Sequence, residues 1–329
     1  MPLGMVGPAA AARLALVFPG QGSQVVGMGR AIHDASPEAR SVFQRADQAL
    51  GISLSRLCFE GPEERLRLTE NTQPALLTTS VALLAALRAR LPSGGLDKLI
   101  VAAAGHSLGE YSALVAAGAI DLEGAVRLVR LRGRYMQEAV PDGKGAMAAL
   151  IGASADQVAA LCREAAGGEV LAPANLNAPD QTVIAGAAAA VERLAAMARD
   201  HGVRKVVRLP VSAPFHCELM APASRRLAAD LEKVEFSDGA FPVVANVDAE
   251  PLRDADALRA SLARQVTAPV RWVDTVRRLR ALGANVQIEI GPGRVLSGLA
   301  RRIDAEWTIL NVEDPASLEA TAQALAGSA

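Results

Sequence analysis

From Lys98 to Gly118 the chain reads KLIVAAAGHSLGEYSALVAAG, and few folds accommodate that order of residues. The apolar run Leu99 to Ala104 predicts a buried strand and a helical pattern begins at Glu110, so Gly105-His106-Ser107-Leu108-Gly109 falls on a strand-to-helix turn. In such a turn strand and helix nearly touch on either side of the serine. The residues two before and two after it must lack a bulky Cβ substituent, and Gly105 and Gly109 meet that demand. The turn would present Ser107 Oγ at a helix N-terminus, where backbone N–H groups stabilise a developing oxyanion. A bare G-x-S-x-G also arises by chance. The strand before it and the helix after it are what make Ser107 a candidate nucleophile.

A serine so placed needs a base, and the chain has four histidines. His33 and His201 read as surface helix residues, and His106 points away from its neighbour on the turn. By elimination the base is His216, in the loop Val211-Ser212-Ala213-Pro214-Phe215-His216 before a helix starting near Pro222. A hydrolase triad would place an acid between serine and histidine in chain order. Asp121, Asp142, Asp156, Asp180 and Asp200 lie in that interval, none in a convincing motif, which leaves a backbone carbonyl to orient the imidazole.

Composition narrows the function classes. With 329 residues the chain has room for two domains, or for one domain carrying an insertion. Hydrophobic residues make up 51%, yet no uninterrupted apolar segment approaches the roughly 18 to 20 residues of a membrane span, so a soluble protein is expected. Net charge is −1 and the basic residues are scattered, which marks neither a nucleic-acid groove nor a polybasic membrane patch. An anionic ligand must then be met by a few placed residues. Cys58, Cys162 and Cys217 are odd in number and widely spaced, fitting neither a disulfide framework nor a zinc site, and point to a reducing compartment. Residues 1–12, rich in Ala, Gly and Pro without a basic n-region, read as a loose N-terminal extension and not as a signal peptide.

Along the chain, Leu14 to Phe18 predicts a buried strand that runs into the tight turn Pro19-Gly20-Gln21-Gly22-Ser23-Gln24, with Gln21 at its apex and without phosphate-loop spacing. A helix follows from Ser36 to Leu50. Another starts at Asn71-Thr72-Gln73-Pro74, with Leu76, Leu77, Val81, Leu84 and Leu87 at helical spacing; Gln73 at its start would face the site or cap the helix, and the cap is the favoured reading. Leu122 to Val140 predicts a long helix with arginines at 127, 130, 132 and 134. Arg132 and Met136 share a face, one cationic and one apolar, which suits a carboxylate on a short carbon body, although spacing does not choose Arg132 over its neighbours.

Residues 143–210 have a rhythm of their own: strands at 145–152, 170–175, 181–185 and 203–211, helices at 154–166 and 188–201. That βαββαβ order is the ferredoxin-like pattern, inserted into a larger α/β unit formed by 13–142 and 211–329. The polar loop Asn175 to Gln181 would line a cleft between the two, or merely connect two strands. Beyond it the pattern predicts a strand at 243–247, a helix at 254–265, an amphipathic stretch at 267–282, a strand at 286–290 ending in Gly291-Pro292-Gly293, a helix from Val295 and a last helix from Pro315. Strands alternating with helices argue for a parallel-sheet core.

Taken together, Phe18 to Gln24, Gly105 to Glu110, Leu131-Arg132-Gly133, Ala174-Asn175 through Gln181, Pro214-Phe215-His216 and Glu289 to Gly293 resemble, in order, the motifs of the malonyl-CoA:acyl carrier protein acyltransferase family. The resemblance runs from about Leu14 to the end. It implies an α/β-hydrolase-like core with a ferredoxin-like insertion, Ser107 as nucleophile and His216 as general base. It also implies an oxyanion hole from the backbone N–H groups of Gln21 and Leu108, and Arg132 as the clamp on the free malonyl carboxylate. Further implied are the main-chain carbonyl of Gln265 as the partner of the histidine, and Asn177, Gln181 and Met136 as lining of the acyl pocket. Family members selecting methylmalonyl often carry glutamine after the nucleophile and serine before the histidine. Leu108 and Phe215 stand there, and Phe215 would crowd the acyl α-carbon, favouring malonyl.

The implied protein is a cytoplasmic monomer without a cofactor, taking a coenzyme A thioester and an acyl carrier protein and binding neither nucleic acid nor membrane. Arg193, Arg199, Arg204 and Lys205 are candidates for a basic carrier-docking rim. An acyl hydrolase of the thioesterase kind would share the elbow and the histidine but has no use for a buried arginine. A docking module would not need Ser107 or His216.

Overall fold

The computed structural model of the protein describes residues 12–326 apart from positions 93 and 212. The extension expected over 1–12 thus lies outside the described residues, save Ala12, which is buried against the core. The described strands are β1 (Leu14–Phe18), β2 (Ile100–Gly105), β3 (Gly145–Ile151), β4 (Leu171–Ala178), β5 (Gln181–Ala187), β6 (Lys205–Arg208), β7 (Val243–Val244), β8 (Pro251–Leu252), β9 (Val286–Ile290) and β10 (Thr308–Val312).

Six of them form the main sheet in the order β10-β9-β1-β2-β7-β8, parallel throughout except for β8, which runs antiparallel to β7. The central strands are apolar on both faces because both are covered. Leu14, Leu16, Phe18 and Ala103 pack into the larger core, whereas Ala15, Val17, Ala102 and Ala104 face a second one around Trp272 and Val276. Through the larger core runs the helix Thr69–Arg90, buried on every side over most of its length, so the leucine stripe seen in the sequence is only one of its buried faces.

Between β2 and β7 in the chain come β3 to β6, which form their own antiparallel sheet in the order β4-β5-β3-β6. Alternation decides its packing. Ala146, Ala148 and Leu150 of β3 face the helices Ala155–Ala165 and Ala188–Met197, while Met147 and Ala149 face the larger core. The first of these helices carries a full capping box from Ser154 and Gln157.

Several boundaries differ from the sequence pattern for identifiable reasons. The strand expected to Val211 stops at Arg208, just before Pro210, which has no N–H to give a ladder. The one expected to Val247 stops at Val244, because Asn246 turns its side chain back onto the elbow. The helix expected from Asn71 begins at Thr69, with Pro74 inside it. The edge strand β10 has little burial along its length and was not apparent in the pattern.

Candidate active site

The elbow forms as its glycines require. A Cβ on Gly105 would lie 1.9 Å from the backbone of Gly109, and one on Gly109 would lie 2.1 Å from the carbonyl oxygen of Phe18. Gly105→Ala is therefore expected to destabilise the fold by at least about 3 kcal/mol, checked by the midpoint of denaturant unfolding. Ser107 itself is held at φ 51° and His216 at φ 61°, left-handed backbone that non-glycine residues adopt at a cost of about 1 to 3 kcal/mol each. Only one other non-glycine residue among those described, Ala249, shares that region.

Ser107 Oγ lies 2.7 Å from His216 Nε2. His216 Nδ1 is 3.0 Å from the carbonyl oxygen of Gln265, the last residue of the helix Ala255–Gln265. A carbonyl only accepts, so Nδ1 carries the proton and Nε2 is free to accept from the serine hydroxyl. Burial, with the cation of Arg132 second, pushes the His216 imidazole down to about 3. The ring is neutral across the range in which a free histidine titrates. Labelling of Ser107 by a small sulfonyl fluoride, which has no carboxylate, is accordingly expected to keep its rate from pH 8 down to pH 5, with no fall near 6.5. A half-maximal rate near 6.5 would contradict the tautomer and the burial described here.

Arg132 projects from the helix Leu122–Glu138, capped by Asp121. The neighbouring Gly133 brings this helix against Thr69–Arg90 so closely that a Cβ there would lie 2.5 Å from Thr69 O, which sets the guanidinium beside Gln73. Arg132 is 1% exposed. Its Nη1 donates to Gln73 Oε1 at 2.8 Å, and its Nη2 to Ser107 Oγ at 3.1 Å and to Gln265 Oε1 at 3.0 Å. Nε has no partner, and the guanidinium forms no salt bridge among the described residues. A buried cation held by neutral oxygens and by the ring of Tyr111, whose centroid is 5.5 Å from its Cζ, is costly unless an anion joins it.

These groups border a cavity of about 100 Å³. Gln21, Gln73, His106, Ser107 and Leu108 line it on the main-sheet side with Arg132 and Met136; Met147, Asn175, Leu209, Val211 and Phe215 close it beside His216. The backbone N–H groups of Gln21 and Leu108 meet no acceptor among the described residues, whereas that of Ser107 is taken by Asn246 Oδ1 at 2.7 Å. A roomier cavity of about 600 Å³, bordered by Arg56, Arg65 and Arg130, contains no nucleophile or base pair of this kind.

Two residues expected in the acyl pocket are elsewhere. Asn177 does not line the cavity: two places on from Asn175 along the bulged strand β4, its Oδ1 sits 2.8 Å from His106 Nε2. Gln181 is the first residue of β5, where its Oε1 is bound by Arg302. Gln73, read from the sequence as a helix cap, lies inside its helix, buried, with its amide on Arg132 and on Met136 Sδ at 3.8 Å. Asn246 and Glu110 hold the elbow from behind; Asn246 carries no motif that sequence reasoning picks out, and Glu110 closes the elbow motif without a role assigned to it. The arrangement is equipped for acyl transfer through a serine, with an arginine waiting on the acyl side.

Comparison with known proteins agrees with that chemistry. The model of the acyl transferase domain family matches residues 15–306. The malonyl CoA-acyl carrier protein transacylase of Escherichia coli (strain K12) is 47% identical over 308 residues, covering 94% of this chain and 98% of that protein. The solved malonyl CoA-acyl carrier protein transacylase of Coxiella burnetii superposes with a TM-score of 0.91 at 44% identity, covering 96% of this chain and 98% of that one. A malonyl-transacylase solved in complex with its type II PKS acyl-carrier protein gives 0.90 at 45% identity, over 95% of this chain and all (100%) of the matched one. With that match and those relatives aligned along nearly their whole lengths, the chain belongs to the acyl transferase domain family.

Proposed function

We propose that the protein moves a malonyl group from malonyl-CoA to the phosphopantetheine thiol of an acyl carrier protein, through a malonyl ester on Ser107. The observation that carries this reading is Arg132, a buried guanidinium without an ion pair, 3.1 Å from the candidate nucleophile. An acyl group ending in a carboxylate supplies the missing anion. An acyl group without one leaves the cation uncompensated.

His216 Nε2 takes the proton of Ser107 Oγ as the oxygen attacks the thioester carbonyl, and the oxyanion so formed is met by the N–H groups of Gln21 and Leu108. Collapse expels coenzyme A, whose sulfur recovers the proton from His216. In the second half the carrier's thiol gives its proton to His216, its sulfur attacks the ester carbonyl, and Oγ leaves with that proton. Met136 and Phe215 wall the short carbon body, and Phe215 leaves little room for a methyl on its α-carbon. No cofactor enters beyond the two thioesters. The family relationship supports the carrier as partner, since similar proteins carry it in their names and one was solved bound to it.

In the same reading the core over 13–142 and 211–329 is α/β-hydrolase-like and 143–210 is a ferredoxin-like insertion, supported by the strand order β4-β5-β3-β6 with both helices on one face. The protein is a cytoplasmic monomer. Its three cysteines are buried and unpaired, in keeping with a reducing compartment, and no described helix is long and apolar enough to cross a membrane. For carrier docking, Arg199 and Lys205 remain available, whereas Arg193 is engaged with Glu169 and two carbonyls and Arg204 with Asp180.

Incubation with malonyl-CoA and a holo carrier protein tests the reading. Malonyl-carrier should form at a rate set by the carrier concentration. Free malonate accumulating at the same rate with or without the carrier would instead mark a hydrolase.

A further inference from the structure

One buried titratable group has no part in these steps. Glu110 follows the second glycine of the elbow and is 2% exposed. Its Oε2 accepts from the backbone N–H of Asn246 at 2.9 Å and from Gln265 Nε2 at 2.8 Å. Both partners reach the serine. Asn246 Oδ1 accepts from the Ser107 N–H, and Gln265 Nε2 also lies 3.0 Å from the Ser107 carbonyl oxygen. The other end of the Gln265 amide, Oε1, accepts from Arg132 Nη2 at 3.0 Å.

Donor and acceptor types make this chain directional. A carboxylate only accepts and a guanidinium only donates, so the amide between them has one satisfactory orientation, NH2 toward Glu110 and oxygen toward Arg132. With a neutral amide at position 110, which can donate as well as accept, the restraint is weakened: only the Ser107 carbonyl and the guanidinium are left to disfavour the inverted Gln265, which would set its NH2 against Arg132. Resting on the malonyl reading above, we infer that Glu110 is a positioning residue for acyl selection: through the side chain of Gln265 it aims Arg132 at the acyl carboxylate.

The charged and titratable groups around Glu110 are Arg132 on the helix Leu122–Glu138, Asp248 beyond β7, and Tyr111 next to it in its own helix. Burial outweighs the hydrogen bonds and pushes the Glu110 carboxyl up to about 7. Below that value the group is protonated and can donate, and its hold on the orientation of Gln265 weakens.

The test is the rate of Ser107 acylation by malonyl-CoA and, separately, by acetyl-CoA, followed by rapid quench and intact mass. It compares the wild type, Glu110→Gln, Gln265→Ala and the double variant. Glu110→Gln should slow the malonyl reaction on the order of tenfold and leave the acetyl reaction nearly unchanged, since acetyl has no carboxylate for Arg132 to meet. In the Gln265→Ala background, which keeps the main-chain carbonyl on His216, adding Glu110→Gln should change the malonyl-to-acetyl ratio no further. The wild-type ratio should fall as pH is lowered through 7, and the Glu110→Gln ratio should be flat there. Equal losses for both acyl groups, with the ratio intact, would mean a merely structural role and overturn the inference. Should Glu110→Gln fail to fold, Gln265→Ala alone decides, because an unchanged ratio in that variant overturns it too. If wild-type Ser107 takes no malonyl at all, the functional reading falls with it; if the wild type reacts and only the ratios stay fixed, the inference falls alone.

Discussion

His216→Ala is expected to slow acylation of Ser107 by malonyl-CoA by about four orders of magnitude, with the residual rate coming from the oxyanion donors and substrate binding alone. The size of the loss follows from geometry. His216 Nε2 is the acceptor 2.7 Å from the serine hydroxyl, and the carbonyl of Gln265 fixes the tautomer that leaves it free. Among the described residues no carboxylate stands behind the imidazole, whose Nδ1 meets a carbonyl instead, so none takes over as base. Rapid-quench measurement of the acyl-enzyme checks this, and a loss of less than tenfold would show that proton transfer goes to solvent. The backbone strain is unchanged in this variant, because alanine at position 216 inherits the same positive φ.

Arg132→Met is expected to cost about two to three orders of magnitude in malonyl acylation, the scale on which a desolvated charge pair is lost when one partner is removed. The same substitution should move the melting temperature little, since the oxygens of Gln73 and Gln265 lose a donor while a buried cation is removed. Methionine fills much of the volume, and the cation it replaces is 1% exposed, unpaired by any carboxylate and partly unsatisfied at Nε. Burial has already pushed the guanidinium below its ordinary value, which says that the site resists the charge it holds. A side chain whose removal spares the fold while abolishing the chemistry is retained for function. Calorimetry beside the acylation assay checks both halves, and a variant that loses stability in proportion to activity would make Arg132 a structural group.

How far the sequence could be read depended on whether the determining contacts were local. The elbow was legible because Gly105 and Gly109 answer a steric demand that lies within five residues, and the strand and helix flanking it have their own periodicities. The order of strands and helices over 143–210 was legible for a similar reason, since each element there is short, regularly patterned and bounded by turns. Gln73 was misplaced because a polar residue next to a proline reads as a helix start, while the actual start at Thr69 is set by packing against the helix that carries Gly133. The resemblance puts Asn177 and Gln181 in the acyl pocket, yet the register shifts of β4 turn Asn177 to His106, and Gln181, at the very start of β5, is taken by Arg302. Behind the serine, Glu110 was legible in the elbow motif and Gln265 through its carbonyl, but the contacts between their side chains were not. Glu110 and Asn246 meet across 136 positions and Glu110 and Gln265 across 155, and only the folded sheet brings them together. Likewise four arginines on one helix look alike in sequence. Burial beside Ser107, at a helix crossing that Gly133 makes close, singles out Arg132.

The central claim is that Ser107 carries a malonyl group between two thiols and that Arg132 is the reason it is malonyl. It is tested most directly by the intact mass of the protein after brief exposure to malonyl-CoA, before and after adding a holo carrier protein, beside Ser107→Ala and Arg132→Ala. The account predicts a single malonyl adduct on the wild type that vanishes as malonyl-carrier forms, none on Ser107→Ala and a faint one on Arg132→Ala. An adduct that persists in Ser107→Ala, or one that water discharges as fast as the carrier does, would contradict it.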